Sequence, residues 1–228
     1  MFRFIYDYID FRRKTVPSYS QCGEDRIIEN LFSMCGIIQP TYIDIGAYHP
    51  FILSNTALLY RNGSRGINIE PDPIQFKIIN RHRKNDINLN IGIAPKKGEM
   101  DFYVLNARTL STFSKTEAEK YHEQGKYFVK KTIRVKTDTL INIIEKHANG
   151  IFPDFLSLDA EGTDKDIISS IDFKNNAPKI ICVETLSFNK PIKRNTELIS
   201  LIINSGYNHY VDTTINSIFV KKSIWDQK

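Results

Sequence analysis

Two periods alternate along this chain. Short apolar runs bounded by turn residues predict buried strands, and apolar positions recurring at every third and fourth residue predict helices. "TYIDIGA" predicts a first strand, and "NTALLYRNG" a helix that stops at Gly63. "GINIE" predicts a second strand, which Pro71 and Pro73 break ahead of the helix "IQFKIINRHRK". "INLNIGIA" reads as a third strand, after which "KKG" turns the chain into a hairpin partner, "EMDFYVL". Residues 106–127 are polar and read as a long loop of the kind that forms lids or binding segments. "KKTIRVKT" returns to strand alternation, and "TDTLINIIEKHANG" is an amphipathic helix with Thr137 or Asp138 as its N-cap. The strand "DFLSLDAEG", the helix "TDKDIISSIDF", the strand "KIICVET", the helix "NTELISLIINSG" and two closing strands, "YNHYVD" and "SIFVKK", follow.

Strands alternating with helices imply βαβ units and an α/β fold on a mostly parallel sheet. The late strand pair is the expected end of a seven-stranded, methyltransferase-type sheet, whereas a dinucleotide-binding Rossmann sheet continues with further parallel units. No repeat or low-complexity linker divides the chain, so a single domain over residues 1–228 is expected.

Composition narrows the classes. With 228 residues, 41% hydrophobic and 25% charged, the chain has ordinary globular proportions. No apolar run reaches the roughly 20 residues of a membrane helix. The start, "MFRFIYDYIDFRRK", mixes aromatics with charges and reads as mature protein rather than a signal peptide. Cys22, Cys35 and Cys182 are widely spaced and form no CxxC pair, which points to a reducing, cytoplasmic setting without a disulfide framework. The formal charge of +5 permits an anionic partner. The densest basic cluster, "RHRK" at 81–84, reads as a solvated helix end, and no aromatic-rich basic stripe supports nucleic-acid binding.

Ligands of open α/β sheets lie beyond the carboxyl ends of the strands. Those ends carry Asp44, Gly46, Tyr48 and His49, then Glu70, Asn90, Asp159 with Glu161, and Glu184. Carboxylates end four of five strands, a concentration that plain turns do not need. Gly46 is either a turn glycine or a point of close backbone approach to a ligand. Glu70 follows it at about the interval at which an acid meets a ribose diol in nucleotide-binding folds; otherwise it is a solvated loop residue before Pro71. Asp159 and Glu161 are two apart and would share one side of an extended strand, as a proton-accepting pair, a hard-cation site or a cradle for an ammonium. Alternatively Glu161 caps the next helix. His49 is a candidate general base. Cys182 reads as core. "SYSQCGEDRIIENLF" reads as a capped amphipathic helix whose polar start could close over a cofactor.

In order and spacing, "SQCGED", "YIDIGAYHPFILSNT", "RGINIEPDP", "DINLN", "FLSLDAEG" and "KIICVE" resemble the FkbM-type family of S-adenosylmethionine-dependent methyltransferases. The resemblance covers residues 18 to about 188, with departures at Tyr48 and Ala160, where that family's bacterial branch often has histidine and valine. It implies a class I methyltransferase fold, a Rossmann-like three-layer sandwich, and methyl transfer to a hydroxyl of a sugar, nucleotide-sugar or glycan. By the same likeness Asp44, Gly46 and Ala47 line the methionine part of S-adenosyl-L-methionine, Glu70 holds its ribose, and Asn90 with Ile91 flanks adenine. Asp159 faces the ammonium or the reacting centre, and Gln21, Glu24 and Asn55 complete the cofactor set. Residues 1–35 become an N-terminal helical cover and 106–136 an acceptor-side insertion. Tyr48, Ser111, Thr112 and Glu184 fall on the acceptor side.

Methyl transfer from a sulfonium requires alignment of the acceptor oxygen and removal of its proton. His49 is the first candidate base, then Asp159 or Glu161. If a divalent cation takes part, Asp159, Glu161 and Glu184 are its oxygen ligands. A small-molecule or glycan acceptor and a monomer or homodimer are expected. A non-catalytic S-adenosylmethionine-binding module is the alternative. A nicotinamide-dependent oxidoreductase is disfavoured because "GAYHPF" lacks GxGxxG.

Overall fold

The structure, a computed structural model, describes residues 17–187 and 193–226, so residues 1–16 of the expected N-terminal cover lie outside the described residues. α1 (Glu24–Met34) leads to β1 (Tyr42–Ile45), α2 (Ala57–Arg61), β2 (Gly66–Ile69), α3 (Pro73–His82) and β3 (Ile87–Leu89). Pro73 opens α3 where no N–H is needed, and the Asp72 carboxylate caps it by accepting the Ile74 N–H at 2.9 Å. β4 (Gly92–Ile93), β5 (Gly98–Leu105), a 3-10 turn (Arg108–Leu110), α4 (Lys115–Glu123) and β6 (Val129–Asp138) then build a separate sheet in the order β4-β6-β5. α5 (Leu140–His147), β7 (Phe155–Leu158), α6 (Asp164–Ser169) and β8 (Ile180–Glu184) return to the main sheet. The short strands β9 (Leu186–Ser187) and β10 (Lys193–Arg194), α7 (Thr196–Asn204), β11 (Tyr207–Asp212), β12 (Asn216–Lys221) and α8 (Lys222–Trp225) follow.

The main sheet has seven strands in the order β11-β12-β8-β7-β1-β2-β3, with β12 antiparallel to both neighbours and the other pairings parallel. This is the expected class I methyltransferase sheet with its late antiparallel pair. Alternate residues feed two helical layers. Ile43, Ile45, Ile181 and Val183 pack with Leu140, Ile167 and Leu198 on one face. Tyr42, Ile180 and Cys182 pack with Ile28, Leu31, Phe32 and Leu59 on the other. Strand order reverses beside β1, which pairs β2 on one side and β7 on the other, and ligands of such sheets bind at that reversal.

Several expectations change. The apolar run "INLNIGIA" is two strands: β3 stays in the main sheet and β4 leaves it, because the Asn90 side chain donates to Glu70 O (2.8 Å) and Pro71 O (3.1 Å) at the break. The partner of "EMDFYVL" is β6, reached through the whole insertion, and not the third strand. The polar stretch 106–127 contains α4, capped by Ser114, whose hydroxyl accepts the Glu117 N–H at 3.2 Å. The N-cap of α5 is Thr139, not Thr137 or Asp138. Arg83 of "RHRK" is 1% exposed rather than solvated.

Candidate active site

A cavity of about 210 Å³ opens over the strand ends at the order reversal. Its floor comprises Gly46 and Tyr48 after β1, Glu70 and Pro71 after β2, Asp159 and Glu161 after β7, and Glu184 at the end of β8. Arg108, Ser111 and Phe113 cover it from the insertion, while Gln21, Leu53, Asn55 and Asn216 line other sides.

Gly46 has φ +82, and a Cβ there would sit 1.9 Å from the Asp159 carbonyl oxygen. The close approach that needs glycine is therefore made by the protein's own β7 turn. Tyr48 is also left-handed, with φ 50. Its N–H donates to Glu70 Oε2 at 2.8 Å, and the Asp72 N–H donates to Glu70 Oε1 at 2.7 Å. Each carboxylate oxygen keeps acceptor capacity for a ligand. Burial, partly offset by these two bonds, lifts the Glu70 carboxyl to about 7.

Asp159, Glu161 and Glu184 each offer an oxygen within 4.8 Å of the others. Burial raises all three carboxyls above the usual range: Asp159 further through Glu184, Glu161 through Asp159, and Glu184 to about 8 through Glu161. Asp159 Oδ1 is buried without a hydrogen-bond partner. The expected sharing of one strand face does not produce this cluster, since β7 ends at Leu158 and Glu161 is left-handed at φ 47. The insertion fixes the turn instead. The Tyr121 hydroxyl donates to Glu161 Oε2 at 2.8 Å, and the Thr112 hydroxyl donates to Glu161 O at 2.7 Å. Asp164, not Glu161, caps the turn by accepting the Ala160 N–H at 2.8 Å and the Gly162 N–H at 3.2 Å. Chemically, three such carboxylates can share protons, face a cationic ligand, or hold a hard divalent cation.

The other predicted residues divide between lining and support. Gln21, Asn55 and Ser111 line the cavity, and Asn55 Nδ2 also donates to Ser157 Oγ at 3.3 Å. Glu24 is fully buried and acts from behind: it accepts from the Thr213 hydroxyl (2.6 Å), Asn216 Nδ2 (3.0 Å) and the Cys22 N–H (2.7 Å). Asp44 faces the α2 side of the sheet, where it accepts the Thr56 hydroxyl at 2.7 Å. Ala47 and Thr112 are buried in the frame around the cavity. Neither Asn90 nor Ile91 is in the wall; Gly92 and Ile93 take that place, with Phe113 against Gly92. His49 also stands outside the lining: its Nδ1 accepts the Phe51 N–H at 3.2 Å, and burial with the nearby His82 holds the imidazole below the usual histidine range. Arg108, Tyr121 and Asn216 were not signalled by strand-end position, because they come from the insertion and the closing hairpin.

The FkbM methyltransferase domain model matches residues 44–209. Among solved structures, the chain resembles a methyltransferase FkbM from Methylobacillus flagellatus KT at 13% identity and TM-score 0.45, over 80% of this chain and 43% of that one. The chain therefore spans less than half of that protein's length. It resembles an O-methyltransferase from Bacillus cereus in complex with SAH at 13% identity and TM-score 0.44, over 90% and 84% of the two chains. A putative caffeoyl-CoA O-methyltransferase from Staphylococcus aureus follows at 9% identity and TM-score 0.43, over 96% and 91%. No curated protein matches the chain in sequence. With strand-end carboxylates gathered around one cavity and the family's domain matched from the end of β1 to β11, this chain belongs to the FkbM family of S-adenosylmethionine-dependent methyltransferases.

Proposed function

We propose that the protein transfers a methyl group from S-adenosylmethionine to a hydroxyl of a sugar or glycan. The observation that carries this reading is the cavity that joins Glu70 to the Asp159–Glu161–Glu184 cluster. The residues fit the cofactor. Glu70 has spare acceptor capacity for a ribose diol, and the orphaned Asp159 Oδ1 is a natural acceptor for the methionine ammonium. When bound, the cofactor supplies an activated methyl group on a cationic sulfur. Gly46, Asn55 and Gln21 shape its pocket, and Tyr48 and Ser111 meet the acceptor.

The chain's task is then to orient the acceptor, exclude water and take up one proton. Glu161 suits the last role better than His49. It lines the cavity, one of its oxygens is fixed by Tyr121, and its carboxyl lies well above the usual range, so its basicity is closer to neutral pH. The same three acidic residues form an oxygen set suited to a hard divalent cation, which would polarise the acceptor oxygen.

The test is calorimetry with S-adenosylhomocysteine and with NADH, followed by transfer of labelled methyl from S-adenosylmethionine to a panel of methyl glycosides and oligosaccharides, with and without EDTA. S-adenosylhomocysteine binding plus a methyl ether on a glycan is expected. Preference for NADH would sink the reading, and homocysteine-form binding without transfer to any acceptor would favour a binding module.

A further inference from the structure

Among the described residues that line the cavity, Arg108 carries the sole cationic side chain, yet it is not paired with the three clustered carboxylates. Its guanidinium donates to Asp72 Oδ2 at the opposite end, beside Glu70. Asp72 is 2% exposed and has no spare role: Oδ1 caps α3, and its N–H holds Glu70 Oε1. Arg108, Asp72, Glu70 and the Tyr48 N–H thus form one chain of bonds from the insertion, across the end of β2, to the turn after β1. Pro71, Ile93 and Phe113 add apolar surface to the lining of the same cavity. A guanidinium fixed by one carboxylate keeps its planar face available, and such faces stack on aromatic rings.

We propose that Arg108 is a cofactor-binding residue that covers the adenosine half of the cavity, where Asp72 holds it in place and its contact slows release of the cofactor. The proposal rests on the S-adenosylmethionine reading above. It gives the insertion a role on the cofactor side in addition to the acceptor side expected from its position. Arg108 sits at the start of the 3-10 turn and is attached to the body of the fold through Asp72, so the contact depends on that ion pair.

The experiment measures affinity and dissociation rate of S-adenosylhomocysteine and of adenosine, on the full chain, for wild type and for Arg108→Ala, Arg108→Lys and Asp72→Asn. Arg108→Ala is expected to weaken both compounds about tenfold, mainly by faster dissociation. Arg108→Lys keeps the charge without the plane and should retain most of the loss. Asp72→Asn keeps a helix-capping side chain but releases the arginine, and should weaken both compounds several-fold. If the alanine variant is poorly folded by thermal unfolding, the lysine variant decides. Unchanged affinity in the arginine variants overturns the proposal. So does a loss confined to S-adenosylhomocysteine, because Arg108 would then serve the amino-acid half. A wild type that binds neither compound defeats the methyltransferase reading itself, a result distinct from an arginine variant that binds like wild type.

Discussion

The backbone N–H of Tyr48 reaches the carboxylate of Glu70 at 2.8 Å, so the turn after β1 is held by the residue that ends β2. The bond keeps a tyrosine in the left-handed region at φ 50 and leaves Glu70 facing the cavity. Removing the carboxylate should therefore affect both ligand and fold. Glu70→Ala is expected to weaken S-adenosylhomocysteine binding by about 1.5–3 kcal/mol, the range for hydrogen bonds to a charged group. Calorimetry checks this, and unchanged affinity would remove Glu70 from the site.

The same residue gives a pH prediction. Burial lifts its carboxyl from 4.5 to about 7, so between those values the folded state binds more protons than the unfolded one. Stability contributed by the protonated group is complete at low pH and is lost as pH rises through 7. Glu70→Gln should flatten the fall in unfolding free energy between about pH 5 and 8, by at most about 3 kcal/mol. Asp44, Asp159, Glu161 and Glu184 are also raised and keep part of the slope. Urea unfolding across that range tests the difference; parallel curves for the two proteins would contradict it.

Gly46 separates a structural requirement from a ligand requirement. A methyl group there would stand 1.9 Å from the Asp159 carbonyl oxygen, in a conformation with φ +82 that L side chains rarely adopt. Gly46→Ala should lose about 3 kcal/mol or more, since strain and overpacking coincide. An unchanged urea midpoint would show that the β1 and β7 turns can move apart.

Much of the fold was legible because buried strands concentrate apolar residues, and the five parallel strands of the main sheet stand where such runs occur. The third run misled at its end. Its apolar pattern continues through Ile91 and Ile93, while the break depends on what the Asn90 side chain bonds, a tertiary contact with no local signal. Arg83 misled for a related reason: a basic cluster reads as solvated until the Pro50 carbonyl, the hydroxyls of Tyr42, Ser54 and Thr56 and the nearby Asp86 carboxylate surround one member. At the site, the strand-end carboxylates could be found from position alone. Tyr121, Arg108 and Asn216 could not, because the topology of the insertion and the closing hairpin brings them there.

Tyr121 stands outside the cavity lining but holds Glu161 Oε2 at 2.8 Å. Tyr121→Phe keeps the edge contact with Tyr127 and deletes only the donor. S-adenosylhomocysteine affinity should stay within about twofold, while methyl transfer falls about tenfold to a hundredfold, as for a lost general-base contribution. The hydroxyl favours the ionised carboxylate, so its loss should move the acidic limb of the rate profile to higher pH. An unaltered profile would place the base elsewhere.

Arg83 anchors the loop that carries Tyr48. Its guanidinium donates to Pro50 O at 2.8 and 3.0 Å, to Ser54 Oγ at 3.0 Å and to Tyr42 Oη at 3.1 Å, and it pairs with the buried Asp86 at 3.5 Å. Arg83→Met fills the volume but leaves the Asp86 carboxylate without its cation and the Pro50 carbonyl without a donor. A loss of about 3–5 kcal/mol is expected, the range for breaking a buried pair from one side. Arg83→Lys should rescue little, because one ammonium cannot reach partners spread around a planar fork. Thermal unfolding measures both variants. If lysine restores wild-type stability, charge alone holds the loop; if methionine does so, the loop and its tyrosine are anchored by packing.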